Sequence, residues 1–221
     1  MMPILMLGYI LTHPIQALKL IFSGNELTQV EEINAMSPQY NEGGDYRVNP
    51  SLIGSAFVYY NQNDPRWKDI NYASNTVGIS GCGPVSGAMV LSALLESAVL
   101  PSTVAGWCES NGYMIDSGTQ NGFAYTLAAH YGLVPYYIGD SDRAGLVDAL
   151  TKGHYVIALM GDGTFTGTTH YIVLRGISGS RVYVADPNSV SKSNTMYPID
   201  TVLAETKGNF TAISPPPPPP R

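Results

Sequence analysis

The chain has 221 residues, 44% of them hydrophobic, which suits one mid-sized globular domain with flanking segments. It carries 11 lysines and arginines against 17 acidic residues, so it lacks the basic face that neutralises nucleic-acid phosphates. Its two cysteines allow at most one disulfide and cannot hold zinc by themselves. We therefore exclude a nucleic-acid partner and a disulfide scaffold.

The N-terminal residues 1–22 are apolar, but polar residues interrupt the run and His13 and Pro14 stand near its middle. No basic region precedes it, as a signal peptide would require. A membrane span needs about 20 predominantly apolar residues, so a damaged membrane segment and an amphipathic helix both remain open. Residues 23–54 are polar and rich in Asn, Glu, Gly and Pro, which is typical of a linker.

The C-terminal residues 214–221 contain six consecutive prolines, which favour an extended polyproline II rod. Such a tail is either a spacer or a solvated end. The folded domain is accordingly predicted over residues 55–213.

The first half of this domain reads as one short strand followed by helices. The aromatic run at 57–60 predicts a strand, and the apolar run after Cys82 predicts a mostly buried helix that begins at this cysteine. Further helices are predicted near residues 103–110, 121–130 and 142–150.

The second half changes to the apolar, β-branched pattern of strands. Three such runs, separated by Gly-rich turns, predict an antiparallel meander at residues 155–160, 169–175 and 181–186. Helices first and strands after is the order of an α+β fold, not of an alternating parallel one.

Four residues in this predicted arrangement have the chemistry of a nucleophilic site. A thiol at the start of a helix, as predicted for Cys82, is favoured as thiolate by the helix dipole and the unpaired N–H groups there. His170 in a strand could activate that thiol, and Asp186 at the end of the next strand could orient the imidazole. Gln62 supplies a side-chain amide for an oxyanion.

The sequence around these residues resembles the C39-like peptidase family in four blocks of matching order and spacing. The blocks are YNQNDPRW at 60–67, GCGP at 81–84, THYIVL at 169–174 and DPN at 186–188. Two departures, Thr169 before the histidine and the small residues after Pro84, affect the shape of the pocket more than its chemistry.

This resemblance implies a papain-like cysteine peptidase fold, with an N-terminal helical part packed on a C-terminal antiparallel β-sheet. It implies Cys82 as nucleophile, His170 as base, Asp186 as orienting acid and Gln62 as oxyanion donor. No metal or organic cofactor is implied. Asn188 is an alternative to Asp186 as the residue that orients the histidine.

The expected activity is hydrolysis of a peptide or amide bond through a thioester, on a peptide or peptidoglycan-type substrate. We expect a bacterial monomer that is extracellular or held at the cell surface, with possible membrane contact through residues 1–22. Two alternatives remain open, a non-catalytic module that binds peptide or glycan on the same fold and a thioester-using acyltransferase.

The remaining candidates have structural interpretations. Cys108 lacks flanking glycines and is expected in the core. His130 and His154 are expected to be structural. Turn and packing roles behind Gln62 are predicted for Asp64, Arg66 and Trp67.

Overall fold

The computed structural model describes residues 57–215. The apolar segment 1–22, the linker 23–54 and the proline tail beyond residue 215 lie outside the described residues, so these three assignments stay predictions.

The N-terminal part of the described chain is mainly helical, with one short hairpin before the first helix and another between the third and fourth helices. Its elements are β1 (Asn71–Tyr72), β2 (Asn75–Thr76), α1 (Val77–Ser80), α2 (Cys82–Leu95), α3 (Pro101–Ser110), β3 (Met114–Ile115), β4 (Gly118–Thr119) and α4 (Phe123–His130).

The C-terminal part supplies the main sheet and three more helices. Its elements are β5 (Val134–Ile138), α5 (Arg143–Thr151), β6 (Tyr155–Met160), β7 (His170–Ser178), β8 (Arg181–Ala185), α6 (Val190–Ser193), β9 (Met196–Pro198), α7 (Ile199–Glu205) and β10 (Phe210–Ser214).

The main sheet has six antiparallel strands in the order β5-β10-β6-β7-β8-β9. Strands β6, β7 and β8 form the predicted meander, and the α+β fold with helices packed on this sheet is confirmed. Because His170 opens β7 and pairs with Met160, the last residue of β6, it stands at one end of the sheet.

Side chains alternate between the two faces of the sheet, and each face has its own core. Ile157 of β6 joins the core under α2, α3 and α4, whereas its neighbours Val156 and Ala158 join the core under α5 and α7. Helix α2 is buried along most of its length, as its apolar sequence predicts. The cysteine that begins α2 is thereby fixed between the helical part and the sheet.

The prediction of a strand at residues 57–60 is wrong, because this segment has an irregular backbone. Its aromatic rings are nevertheless buried. The helices predicted near 103–110, 121–130 and 142–150 are confirmed as α3, α4 and α5. Strand β10 was not predicted. It lies between β5 and β6, so its pairing joins residues far apart in the chain.

Within residues 57–215, none of the helices combines the length and the hydrophobicity needed to cross a bilayer.

Candidate active site

The nucleophile candidate, Cys82, is the first residue of α2 and is partly exposed as a free thiol. The turn at Gly81 that precedes Cys82 is tight. A Cβ atom at Gly81 would overlap the carbonyl oxygen of Val77. Within the described chain no side chain caps this end of α2, so its first backbone N–H groups have no side-chain acceptor. The thiol thus lies where a helix favours negative charge.

His170 lies beside this thiol and is 92% buried, with 8% of its surface exposed. Its Nε2 is 2.7 Å from Oδ1 of Asp186, and Cys82 is near enough to its ring to influence its pKa. Since Nε2 is held by the carboxylate, Nδ1 is the ring nitrogen left for the sulfur. The three side chains come from α2, β7 and the end of β8.

The surroundings of His170 change its protonation. Burial by itself lowers the pKa of the imidazole, but the hydrogen bonds to Asp186 and Cys82, together with the charges of these two residues, raise that pKa from 6.5 to about 9. His170 is therefore an imidazolium at neutral pH, with its proton held beside the Cys82 side chain.

Asp186 follows β8 and is held by hydrogen bonds from both its side chain and its backbone. Its Oδ1 also accepts a hydrogen bond from the backbone N–H of Asn188 at 2.8 Å, and its own N–H donates to Oγ of Ser193 at 2.8 Å. The structure places Asp186 on the imidazole, whereas the side-chain Oδ1 of Asn188 accepts a hydrogen bond from Asn63. The side chain that bonds to His170 is thus that of Asp186.

Gln62 is 3% exposed and is fixed at both its backbone and its side chain. Its Nε2 donates to the carbonyl oxygen of Gly78 at 2.8 Å. Its backbone N–H donates to the carbonyl oxygen of Pro187 at 2.7 Å. An amide nitrogen carries two hydrogens, so one N–H of Nε2 remains after the bond to Gly78. Gly78 lies in α1, the short helix that precedes Cys82, so the side chain of Gln62 is bonded to the segment that leads to the thiol.

The chain matches a known protein family over its whole described length. The model of the Peptidase_C39 like family matches residues 55–215. The chain belongs to this family.

A solved structure with a C39-like description shares the fold of this chain. A Bacillus anthracis protein described as a C39-like peptidase aligns with a TM-score of 0.52 at 14% identity, covering 75% of this chain and 98% of that one. The peptidase domain of Streptococcus ComA, a bifunctional ABC transporter, aligns with a TM-score of 0.47 at 20% identity. The alignment covers 62% of this chain and 92% of the ComA domain.

A third similar structure is a double-glycine-motif protease from an AMS/PCAT transporter, solved with its leader peptide. It aligns with a TM-score of 0.43 at 23% identity and covers 61% of this chain and 84% of that one. No curated protein gives a significant match.

The second cysteine of the C39-like chain lies outside the site. Cys108 is fully buried in α3, as predicted, and burial raises the pKa of its thiol to about 12 although a hydrogen bond with Tyr72 lowers it. A thiol with that pKa is inert at neutral pH. His154 is also elsewhere, with its Nδ1 2.7 Å from the hydroxyl of Tyr136.

Residues behind Gln62 have the packing roles that the sequence predicts. Arg66 is paired with Asp64 through its Nε at 2.9 Å, and its guanidinium lies over the ring of Trp67. The Trp67 indole donates to the carbonyl oxygen of Asn61 at 2.8 Å. These bonds fix the turn that contains Gln62.

Two features of the site were not predicted. Tyr59 reaches Asp186 from a segment that was expected to be a strand, and Ser193 reaches it from the short helix α6. The run of aromatic and β-branched residues at 57–60 resembles a strand pattern, so no local signal indicated the role of the Tyr59 hydroxyl.

Among the described residues, no cluster of three or more His, Cys, Asp and Glu side chains is arranged to hold a metal ion.

Proposed function

We propose that this protein is a cysteine peptidase that uses Cys82, His170 and Asp186 as a catalytic triad. The observation that carries the proposal is the buried imidazole of His170, which is bonded to Asp186 at 2.7 Å and whose pKa is influenced by the nearby thiol at the start of α2. A thiol, a base and an acid that orients the base are the groups that thioester chemistry requires.

In the proposed first step, the thiolate of Cys82 attacks the substrate carbonyl carbon and the carbonyl oxygen becomes an oxyanion. The remaining N–H of Gln62 and the backbone N–H of Cys82 donate hydrogen bonds to that oxygen. The imidazolium of His170 then gives its proton to the leaving amine as the carbon–nitrogen bond breaks, and the acyl group stays on sulfur as a thioester.

In the second step, neutral His170 takes a proton from water, and the resulting hydroxide attacks the thioester. Collapse of this intermediate releases a carboxylic acid and restores the thiolate–imidazolium pair. Asp186 stabilises the imidazolium in both steps without taking up its proton.

The surface next to the site supports a peptide substrate. Ile79, which is 69% exposed, lies in α1 between Gly78 and the turn to Cys82. An exposed apolar side chain at this position is available to contact a substrate side chain near the scissile bond. We propose peptides or the peptide part of peptidoglycan as the substrate class.

The proposed location is outside the cytoplasm or at the cell surface, with the protein acting as a monomer. The apolar residues 1–22, the polar linker and the proline tail motivate this proposal. Cell fractionation checks it, and recovery of the native protein only from the cytosol would contradict it.

The proposed chemistry is tested by thiol labelling of the purified protein. Iodoacetamide should alkylate Cys82 rapidly near neutral pH, and His170→Ala should slow this labelling markedly, with mass spectrometry locating the adduct. Cys108 is the internal control because it is buried and should remain unlabelled. Equal labelling of both proteins, or preference for Cys108, would favour the binding-module alternative.

Hydrolysis is then tested on a peptide library with Cys82→Ala as the blank. Trapping of an acyl adduct on Cys82 would identify the thioester. Adding an amine nucleophile separates the acyltransferase alternative, since transfer gives an amide product in place of the free acid.

A further inference from the structure

A row of hydrogen bonds joins the segment that carries Gln62 to the segment that carries Asp186. The hydroxyl of Tyr59 donates to the Asp186 carbonyl oxygen at 2.7 Å, and the N–H of Gln62 donates to the Pro187 carbonyl oxygen at 2.7 Å. The side chain of Asn63 donates to that of Asn188 at 2.8 Å. We call residues 59–63 and 186–188, joined in this way, the seam.

The seam crosses more than 120 positions of sequence, because the Tyr59–Asp186 bond alone joins residues 127 apart. Gln62 and Asp186 serve opposite ends of the proposed reaction, one at the oxyanion and the other at the imidazole. Since the backbone of Gln62 bonds to that of Pro187, the residue after Asp186, a shift of either segment would move the other or break a hydrogen bond.

We propose that Tyr59 is a positioning residue of the active site, whose hydroxyl fixes the main chain of Asp186 so that its carboxylate meets His170. This inference rests on the proposed function and deepens it.

Three observations support the proposal. Tyr59 is buried, so water competes little with its hydroxyl for the carbonyl oxygen of Asp186. Asn61 donates to the same hydroxyl oxygen at 3.2 Å and thereby fixes its direction. Burial and the nearby charge of Asp186 both raise the pKa of Tyr59, so the hydroxyl keeps the proton that it donates.

The neighbouring tyrosine offers a matched control. Tyr60 is also buried, but its hydroxyl lies 3.3 Å from Oγ of Ser92 in α2, away from Asp186. Tyr59→Phe and Tyr60→Phe therefore make the same chemical change, one residue apart, and only the first removes a bond to the triad. After Tyr59→Phe, the Asp186 carbonyl oxygen keeps the N–H of Ser189 at 3.2 Å, so the variant should fold.

The experiment measures the iodoacetamide alkylation rate of Cys82 across pH for the full-length wild type and the two variants. With Tyr59→Phe we expect a fall of about fivefold at neutral pH, the size of one lost hydrogen bond. Above about pH 9.5 the rates should converge, since an ordinary thiol is ionised there. Tyr60→Phe should follow the wild-type profile.

A second variant tests the main chain of Asp186 at its N–H group. Ser193→Ala removes the Oγ that accepts the N–H of Asp186, and it should slow alkylation at neutral pH in the same way. Thermal unfolding of each variant is measured alongside, because a purely structural role would lower stability without changing the pH profile.

The possible failures are distinguishable. If wild-type Cys82 reacts no faster than a simple thiol, the proposed function fails. Wild-type Cys82 could be alkylated rapidly, and more slowly in His170→Ala, while the alkylation rates of Tyr59→Phe and Tyr60→Phe are equal. In that case only the positioning role of Tyr59 is overturned.

Discussion

Replacing Asp186 by Asn tests how the site keeps His170 protonated. Asparagine preserves the size of the side chain and an Oδ1 acceptor, but it removes the negative charge. The rise in the pKa of His170 from 6.5 to about 9 corresponds to about 3 kcal/mol of preference for the imidazolium. Although Cys82 supplies part of this rise, Asp186 gives the strongest favourable contribution.

We expect Asp186→Asn to lower the pKa of His170 by about 1–2 pH units, since an opposite charge at hydrogen-bond distance shifts a pKa by roughly that amount. For a fall of about 1.5 units, the imidazolium fraction at about pH 8.5 drops from about three quarters to about one tenth. The proposed mechanism needs that proton for the leaving amine. The alkaline limit of peptide hydrolysis should therefore move to lower pH by the same interval.

Proton–nitrogen correlation NMR of the imidazoles measures this pKa directly, with His170→Ala identifying the signal among the four histidines. Asp162→Asn is the matched control, because it removes the same charge from an exposed position in the loop before β7. An unchanged His170 midpoint in Asp186→Asn, or an equal shift in both variants, would refute the role given to the Asp186 carboxylate.

Three other substitutions test separate parts of the site and its scaffold. Gln62→Ala should lower kcat for peptide hydrolysis by about a hundredfold while leaving Cys82 alkylation unchanged, and a loss of both would indicate a disrupted site instead of a missing oxyanion donor. Gly81→Ala should lower the free energy of unfolding in urea by about 2–4 kcal/mol, because its Cβ would overlap the backbone of Val77. Gly106→Ala, whose Cβ meets open space in the middle of α3, should raise that free energy by about 0.5–1 kcal/mol, and equal effects at the two glycines would contradict the packing argument.

Much of the fold follows from local sequence patterns. The apolar run after Cys82 is long enough to define a buried helix, and the β-branched runs before and after His170 define the meander, since adjacent strands joined by short loops pair with each other. The positions of the four candidate site residues follow from the GCGP, HY and DPN blocks and the Gln62 block, because these blocks keep the order and spacing of a known family.

The role of residues 57–60 could not be found in this way. Their aromatic residues match the pattern of a strand, but the structure buries them as an irregular segment in which Tyr59 bonds to Asp186. The sequence pattern predicts that these side chains are buried. It does not predict which groups their hydroxyls hydrogen-bond.

The sequence by itself determined the helix that begins at Cys82, the meander that carries His170 and Asp186, and the affiliation of the chain, because each depends on local periodicity or on short motifs. Only the tertiary structure decided that Asp186 and not Asn188 holds the imidazole, that β10 enters the sheet between β5 and β6, and that Tyr59 joins the seam. These contacts join residues far apart in the chain, and their geometry depends on how both cores pack against the sheet.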